Sequence, residues 1–179
     1  MESSAPFGQR EFRNVLGLFA TGVAVVTARV GDARIGATIS SFNSVSLDPP
    51  LVLFSMACRA LASAQWKAAK ALTIFVLSDD QVELSNRFAR AGGDKWSGLE
   101  ERTAGNGSPW LPGAIVSFDC VPYAVYPGGD HDIFICEVKA FAAAPDARPL
   151  IFYAGKYRDL KTIESSEAPP FENMWLHGW

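Results

Sequence analysis

A row of small hydroxyl side chains lies where a predicted strand meets a turn. The segment 36–51 carries five of them, at Thr38, Ser40, Ser41, Ser44 and Ser46. Alternation along a strand puts Thr38 and Ser40 on one face, which Ser44 and Ser46 could continue. Hydroxyls beside exposed amides can bond the polar edge of a planar heterocycle, or a phosphate. The residues alone equally describe a polar turn whose hydroxyls bond their own backbone, and such turns are common.

A second candidate is His131, which is one of two histidines in the chain and follows Gly128-Gly129-Asp130. The two glycines permit a tight turn from which the imidazole would project. The loop context alone is compatible with a functional histidine and with an ordinary surface one. The other histidine, His177, lies in the C-terminal tail and matches no motif.

Two further candidates are Lys95 and Tyr157. Lys95 lies in the glycine-rich segment 91–112, which has little periodicity; loops of that length in compact domains are usually functional or mobile. A single lysine on a loop is usually solvated. Tyr157 follows Gly155 and could equally be an aromatic at the edge of the core.

Composition excludes several classes of protein. The 179 residues, 49% of them hydrophobic, fit one domain. The net charge is −3 and the basic residues are scattered, so we expect no nucleic-acid partner. No apolar run could cross a bilayer, and the first nine residues do not resemble a secretory signal. Three cysteines without metal-ligand spacing predict no metal site and no disulfide framework, as in a cytoplasmic protein.

The hydrophobic pattern predicts about seven strands and three helices. We predict helices over 9–20, over 59–70 and after a capping box formed by Ser78 and Gln81, with Gly22 ending the first helix. We predict strands at 23–28, 34–41, 51–55, 72–77, 114–126, 133–143 and 150–153. The strands do not alternate with helices, which disfavours a doubly wound parallel sheet. A closed antiparallel barrel with helices outside fits the order better.

Five stretches, taken in order, resemble the flavin reductase family of the FMN-binding split-barrel superfamily. These short reductases supply reduced flavin to two-component monooxygenases. The stretches are 19–27, 41–52, Val76-Leu77 with Gln81 and Phe88-Ala89, 94–96, and 129–131 with Glu137-Val138. Each stretch is weak alone, but their order and spacing across 12–160 make the resemblance specific.

The resemblance implies a mainly β fold with flanking helices, namely an antiparallel, Greek-key-like split β-barrel. It implies one domain over 1–179, with a core of about 12–160 and a C-terminal tail at 161–179. It also implies FMN or FAD as the cofactor, NADH or NADPH as the co-substrate, a homodimer with the flavin near the subunit boundary, and a partner monooxygenase. Hydride transfer between stacked rings requires alignment more than a general base. The sequence has no Gly-x-Gly-x-x-Gly run, so a Rossmann site for the nicotinamide nucleotide is not expected.

The same resemblance assigns roles to particular residues. It implies that the isoalloxazine rests against residues 38–46, which include Val45 beside the hydroxyls. His131 becomes the candidate catalytic residue, on the nicotinamide side. Lys95 would face a flavin phosphate or ring oxygen, and Tyr157 would lie near one of the two rings.

The sequence departs from the family pattern at the predicted phosphate site. Ala60 and Ala62 stand where relatives usually carry Ser or Thr, so Arg59, Ser55 and the N-terminus of the predicted second helix would have to hold the phosphate. Cys136 replaces the usual glycine before Glu137-Val138. These changes bear on which flavin is bound and how tightly.

Two other functions remain open on the sequence. The same barrel could hold flavin without turnover, as a carrier or sensor, although such a protein has less need of His131. A related oxidase acting on a pyridoxine phosphate would require a cluster of basic residues to bind a second phosphate, and the sequence shows no such cluster.

Overall fold

The computed structural model describes residues 6–144 and 146–161, so His177 lies outside the described residues. Within these ranges the chain forms three helices, α1 Gln9–Leu16, α2 Ser63–Ala68 and α3 Val82–Ala89. It forms ten strands, which are β1 Thr21–Gly22, β2 Ala24–Val30, β3 Ala33–Ile39, β4 Asn43–Leu47, β5 Pro50–Ala57, β6 Leu72–Val76, β7 Val116–Gly128, β8 His131–Ala143, β9 Ile151–Tyr153 and β10 Lys156–Arg158.

Seven strands form one antiparallel sheet in the order β3-β2-β6-β7-β8-β5-β4. The strands at its two edges, β3 and β4, are joined by only three residues, 40–42. Such a link spans at most about 14 Å between the flanking Cα atoms, so the sheet must curl until its edges approach. Consistent with this curl, Ile39 of β3 and Phe54 of β5 belong to the same buried cluster.

The barrel is only partly as predicted. The fold is mainly β and the strand pairs are antiparallel, but the sheet is not closed by a ladder between its edges in the described part of the chain. Instead, the hydroxyl of Ser41 accepts a hydrogen bond from Ser55 N (3.0 Å) and donates to Ser55 O (3.3 Å). A side chain on the link therefore joins one edge region of the sheet to β5.

The central strands are buried on both faces, as their β-branched composition predicts. Val26 and Ile74 face the inner cluster, whereas Val25 and Phe75 face a second cluster on the outside of the sheet. The outer cluster is covered by α3, by the segment 96–114 and by a small sheet of order β1-β9-β10. Trp96 and Trp110 pack there, which confirms that parts of the long loop pack onto the fold.

The helices differ from the sequence prediction at their ends. The first ends at Leu16, where Gly17 N donates to Arg13 O, and Gly22 pairs with Ile151 in the small sheet. That pairing joins distant segments, which local periodicity cannot reveal. The capping box forms only in part: Gln81 Oε1 accepts from Ser78 N, but the Ser78 hydroxyl bonds Gly113 O, and the helix begins at Val82.

The predicted second helix is the largest correction. Only Ser63–Ala68 is helical, and 59–62 forms a turn. Cys58 N donates to Asp130 O and Ala60 N donates to Ala57 O, so local and tertiary hydrogen bonds override the helix propensity of the alanines. Within the described ranges, no helix is long and apolar enough to span a membrane.

Candidate active site

A cavity of about 380 Å³ lies between β3, the turn at 59–62 and the segment that follows α3. Its lining includes mostly small or flat groups, among them Gly36, Ala37, Ala60, Ala62, Trp66 and Gly92. Three cationic side chains, Arg34, Arg90 and Lys95, also line it. The cavity therefore offers apolar surfaces together with three cationic side chains, which suits a flat ligand that carries an anionic group.

The wall formed by α3 and 90–96 is fixed by hydrogen bonds and packing. Lys95 Nζ donates to Gly36 O (3.1 Å) and Phe88 O (3.0 Å), and burial lowers the pKa of Lys95. Trp96 Nε1 donates to Arg34 O (3.1 Å), and its ring meets Phe88 edge to face. We call these residues, Arg34, Gly36, Phe88, Lys95 and Trp96, the clasp.

Gly36 is the residue that permits the clasp. A Cβ at this position would lie 2.5 Å from the Phe88 ring, closer than real contacts allow. Phe88 is itself buried, so its ring has little room to move away. The absence of a side chain at 36 therefore lets α3 lie directly against β3.

Thr38 and Tyr157 converge on α3. The Thr38 hydroxyl donates to Ser85 O (2.6 Å), and Tyr157 Oη bonds Ser85 Oγ (2.8 Å) and donates to Asn86 Oδ1 (3.0 Å). Thr38 also lines the cavity, whereas Tyr157 does not. In this structure Tyr157 attaches β10 to α3, and its hydroxyl is satisfied within the protein.

The link 40–42 and β4, none of whose residues line the cavity, carry polar groups with fewer internal partners. Residues 40–42 lie outside both adjoining ladders, and Ser40 is exposed. In β4, Ser44 and Ser46 are half-buried and Val45 is exposed, with a bulge that shifts the register between the two serines. Bulges of this kind re-aim side chains beside functional sites.

The hairpin between β7 and β8 carries His131. The imidazole is 44% exposed, and its Nδ1 lies 2.7 Å from Asp130 Oδ1. That hydrogen bond holds the pKa of Asp130 below its usual range. Gly129 has φ +77°, so the predicted glycine turn is confirmed. His131 pairs with Ala57 and its neighbour Asp132 pairs with Met56, which lines the cavity.

The predicted phosphate site is only partly assembled. Ala60 and Ala62 line the cavity, but Arg59 is exposed in the turn and is not at a helix start. Ser55 is half-buried, and both of its backbone polar groups bond Ser41. Within the described ranges, no group of His, Cys, Asp or Glu side chains is arranged to hold a metal ion.

Sequence reasoning missed the two arginines of the cavity. Arg34 precedes the hydroxyl segment and Arg90 follows α3, so they are 56 positions apart and meet only through the packing of α3 on β3. Arg34 also lies 5.2 Å above the Trp96 ring and 3.9 Å from Glu101. Arg90 directly follows Phe88-Ala89, which matches the resemblance, whereas Arg34 adjoins no matching stretch and no local signal marks it.

Comparison with known proteins decides the family. The model of the flavin reductase like domain matches residues 16–161. The chain belongs to this family. The FMN reductase (NADH) SmoA of Agrobacterium fabrum is 44% identical over 148 residues, which are 83% of this chain and 84% of that protein.

Other members of the flavin reductase family extend the likeness to nearly the whole chain. The flavin-dependent monooxygenase reductase subunit HsaB of Mycobacterium tuberculosis is 36% identical over 92% of this chain and 89% of its own length. The solved structure of the NADH:FAD oxidoreductase SgcE6 of Streptomyces globisporus, in complex with NAD and FAD fragments, has a TM-score of 0.84. It is 31% identical and covers 92% of this chain and 100% of the solved chain.

Proposed function

We propose that this chain is an NAD(P)H:flavin oxidoreductase that reduces FMN or FAD for a partner monooxygenase. The observation that carries the proposal is the cavity beside β3, whose lining adjoins both other candidate regions. Thr38, two residues before the link 40–42, lines the cavity, and so does Met56, which pairs with Asp132 next to His131. Family membership and the names of the relatives support the same activity.

The cavity fits the charge and shape of a flavin nucleotide. Small residues leave a flat space beside β3, and Arg34, Arg90 and Lys95 provide positive charge for a phosphate. Arg59 would add a cation at the turn, and Ser55 would lie beside the ring-binding segment. Lys95 has three N–H donors, two of which bond carbonyls, so one is left for a phosphate or ring oxygen.

The link and β4 would hold the ring system. Backbone groups of Ser40 and Ser41 lie outside the ladders and can bond the ring edge, with Ser44, Val45 and Ser46 extending the surface. Thr38 shapes the surface through its bond to α3. The bound flavin supplies the ring that accepts hydride, so the protein's task is to align two rings and exclude water between them.

His131 would act on the nicotinamide side. Its bond to Asp130 fixes one ring nitrogen and leaves the other available for the amide of the nicotinamide. With half of the side chain exposed, the imidazole can reach a ligand that lies over the flavin. The Asp130 carboxylate orients the ring in the way that a carboxylate orients catalytic imidazoles generally.

We also propose that the chain acts as a homodimer, with the second copy covering the outer face of β5, β8 and β7. Five apolar side chains lie in register there, namely Leu53, Ile135 and Ala124 in one row and Ile133 and Tyr126 in the next. None of them is buried. Both rows lack charge, so two copies can face one another through a two-fold axis without like-charge repulsion.

We further propose that residues 1–179 form one flavin reductase-like domain, and that the curled sheet is the family's split barrel. The Ser41–Ser55 contact supports the barrel, because it attaches the link that follows β3 to β5, beyond the end of the β4–β5 ladder. A second copy packed beside β5 would complete a wall of the flavin site. Light scattering in solution should give the mass of a dimer, and a monomer that binds flavin fully would contradict the proposal.

The activity is tested by the loss of NADH absorbance on addition of FMN or FAD to the purified chain. We expect oxidation that depends on both protein and flavin, with NADPH measured alongside. A control without protein measures the direct reaction of NADH with flavin. Flavin binding without any NADH or NADPH oxidation would instead favour a carrier or sensor.

A further inference from the structure

An ion pair joins the wall of the cavity to the hairpin that carries His131. Lys67 Nζ on α2 lies 2.7 Å from Oδ2 of Asp132, the second residue of β8. The Asp132 side chain is only 11% exposed, whereas that of Lys67 is 49% exposed. The hydrogen bond to Asp132 raises the pKa of Lys67. A carboxylate enclosed to this degree requires a partner, and Lys67 is the partner it has.

The helix that carries Lys67 depends on such attachments. It has six residues and neither end has a side-chain cap, so it has little stability of its own. Trp66 anchors one side of it by packing edge to face on Phe54. Trp66 and the preceding Ala62 both line the cavity, so any shift of α2 changes the shape of the cavity directly.

A second bond ties the same two segments together. Cys58 N donates to Asp130 O at 2.9 Å, just before the turn that leads into α2. The segment 58–68 is therefore attached to the hairpin at Asp130 and at Asp132. The residue between these two attachment points is His131, the proposed nicotinamide contact.

We propose that Lys67 and Asp132 are positioning residues, which hold the α2 wall of the flavin cavity in register with the His131 hairpin and thereby set flavin affinity. Neither residue lines the cavity, so the effect acts through α2 rather than through contact with the flavin. The inference rests on the proposed function, because it takes the cavity to be the flavin site.

The test compares three variants of the full chain. Lys67→Met should raise the Kd for FMN, measured by flavin fluorescence, by about fivefold, because a partly exposed pair contributes about 1 kcal/mol. At saturating FMN the kcat should stay within about twofold of wild type, since the reacting groups are untouched. Lys67→Arg, which keeps the charge at a half-exposed position, should restore the wild-type Kd.

The matched control is Asp79→Asn, which removes the Arg148–Asp79 pair of the same 2.7 Å length in the turn before α3. It should leave the Kd for FMN unchanged. If Lys67→Met does not fold, Asp132→Asn replaces it with the same expected rise in Kd.

Three results would overturn the inference. They are an unchanged Kd in a folded Lys67→Met, an equal rise in Kd for Asp79→Asn, and a failure of Lys67→Arg to restore affinity. A wild-type chain that neither binds FMN nor oxidises NADH would instead refute the proposed function, so the two failures are distinguishable.

Discussion

The clasp wall of the cavity and the nearby link and hairpin use polar side chains in opposite ways. On the clasp side, polar side chains donate hydrogen bonds to backbone carbonyls of the protein itself, as do those of Thr38, Lys95 and Trp96. On the side of the link and hairpin, Ser40 is exposed and His131 is half-exposed with a single carboxylate partner. The clasp wall therefore gives the cavity its shape and two of its positive charges, Arg34 and Lys95, whereas the link and hairpin offer polar groups that few protein atoms occupy.

This division changes the roles assigned to three of the residues predicted from the sequence. Thr38, Lys95 and Tyr157 were all expected near the flavin, but each also holds α3 in place. Substitution of clasp residues should therefore reduce stability and ligand affinity together. Substitution of Ser40 or His131, which have few internal partners, should change affinity with little loss of stability.

The largest expected effect is that of Phe88→Ala. The ring is buried against Gly36 and Trp96, so its removal leaves a cavity in the outer cluster. We expect the free energy of unfolding, measured in urea, to fall by about 3–5 kcal/mol. Phe141→Ala is the control, because that ring is 73% exposed and its loss should cost less than about 0.5 kcal/mol. Equal losses in both variants would contradict the packing role of Phe88.

Next in size is Lys95→Met. The variant leaves Gly36 O and Phe88 O without their charged donor, which should lower the free energy of unfolding by about 2 kcal/mol. Affinity for FMN should fall as well, because a cation of the cavity is lost. Lys70→Met, at an exposed position, should change neither quantity. A stability equal to that of wild type would show that Lys95 serves the ligand alone.

Ser41→Ala tests the contact between the link and β5. It removes both hydrogen bonds to Ser55, and we expect a loss of about 1 kcal/mol in the free energy of unfolding. Ser40→Ala, at the exposed neighbour, should leave stability within about 0.5 kcal/mol of wild type. If Ser40→Ala destabilises the chain as much as Ser41→Ala, the hydrogen bonds between Ser41 and Ser55 are not what attaches the link to β5.

The smallest effect on stability belongs to His131→Ala. The side chain is half-exposed and bonds only Asp130, so unfolding in urea should be unchanged within about 0.5 kcal/mol. The KM for NADH should nevertheless rise by about fivefold, while the Kd for FMN stays within about twofold. Steady-state kinetics that show equal effects on both ligands would remove His131 from the nicotinamide side.

Much of the fold could be predicted because its strands are strongly patterned. The buried strands β2 and β6 and the long hairpin of β7 and β8 were predicted from β-branched runs and from the glycine turn. Two consecutive prolines predict a break at 47–50, which is confirmed for Asp48-Pro49 but is wrong for Leu47 and Pro50, because these two residues pair across the turn. The strand β1 is only two residues long and pairs with β9, about 130 positions away, so no local signal marks it.

The site was harder to predict for a different reason. The hydroxyl segment and the histidine turn are local motifs, and the family resemblance assigned both to the proposed site. The clasp depends on contacts between 34–36, 88 and 95–96, and the Lys67–Asp132 pair depends on the curl of the sheet. Such contacts between distant segments follow from tertiary packing, and a single sequence does not report them.

The location of the flavin is tested most directly by a crystal structure of the chain with FMN bound. We predict that the phosphate lies within hydrogen-bonding distance of Arg34, Arg90 or Lys95. The ring edge should lie against the backbone of 40–42, and His131 should face the exposed side of the ring. An FMN molecule bound elsewhere, with this cavity empty in crystals that still oxidise NADH, would contradict the assignment of the site.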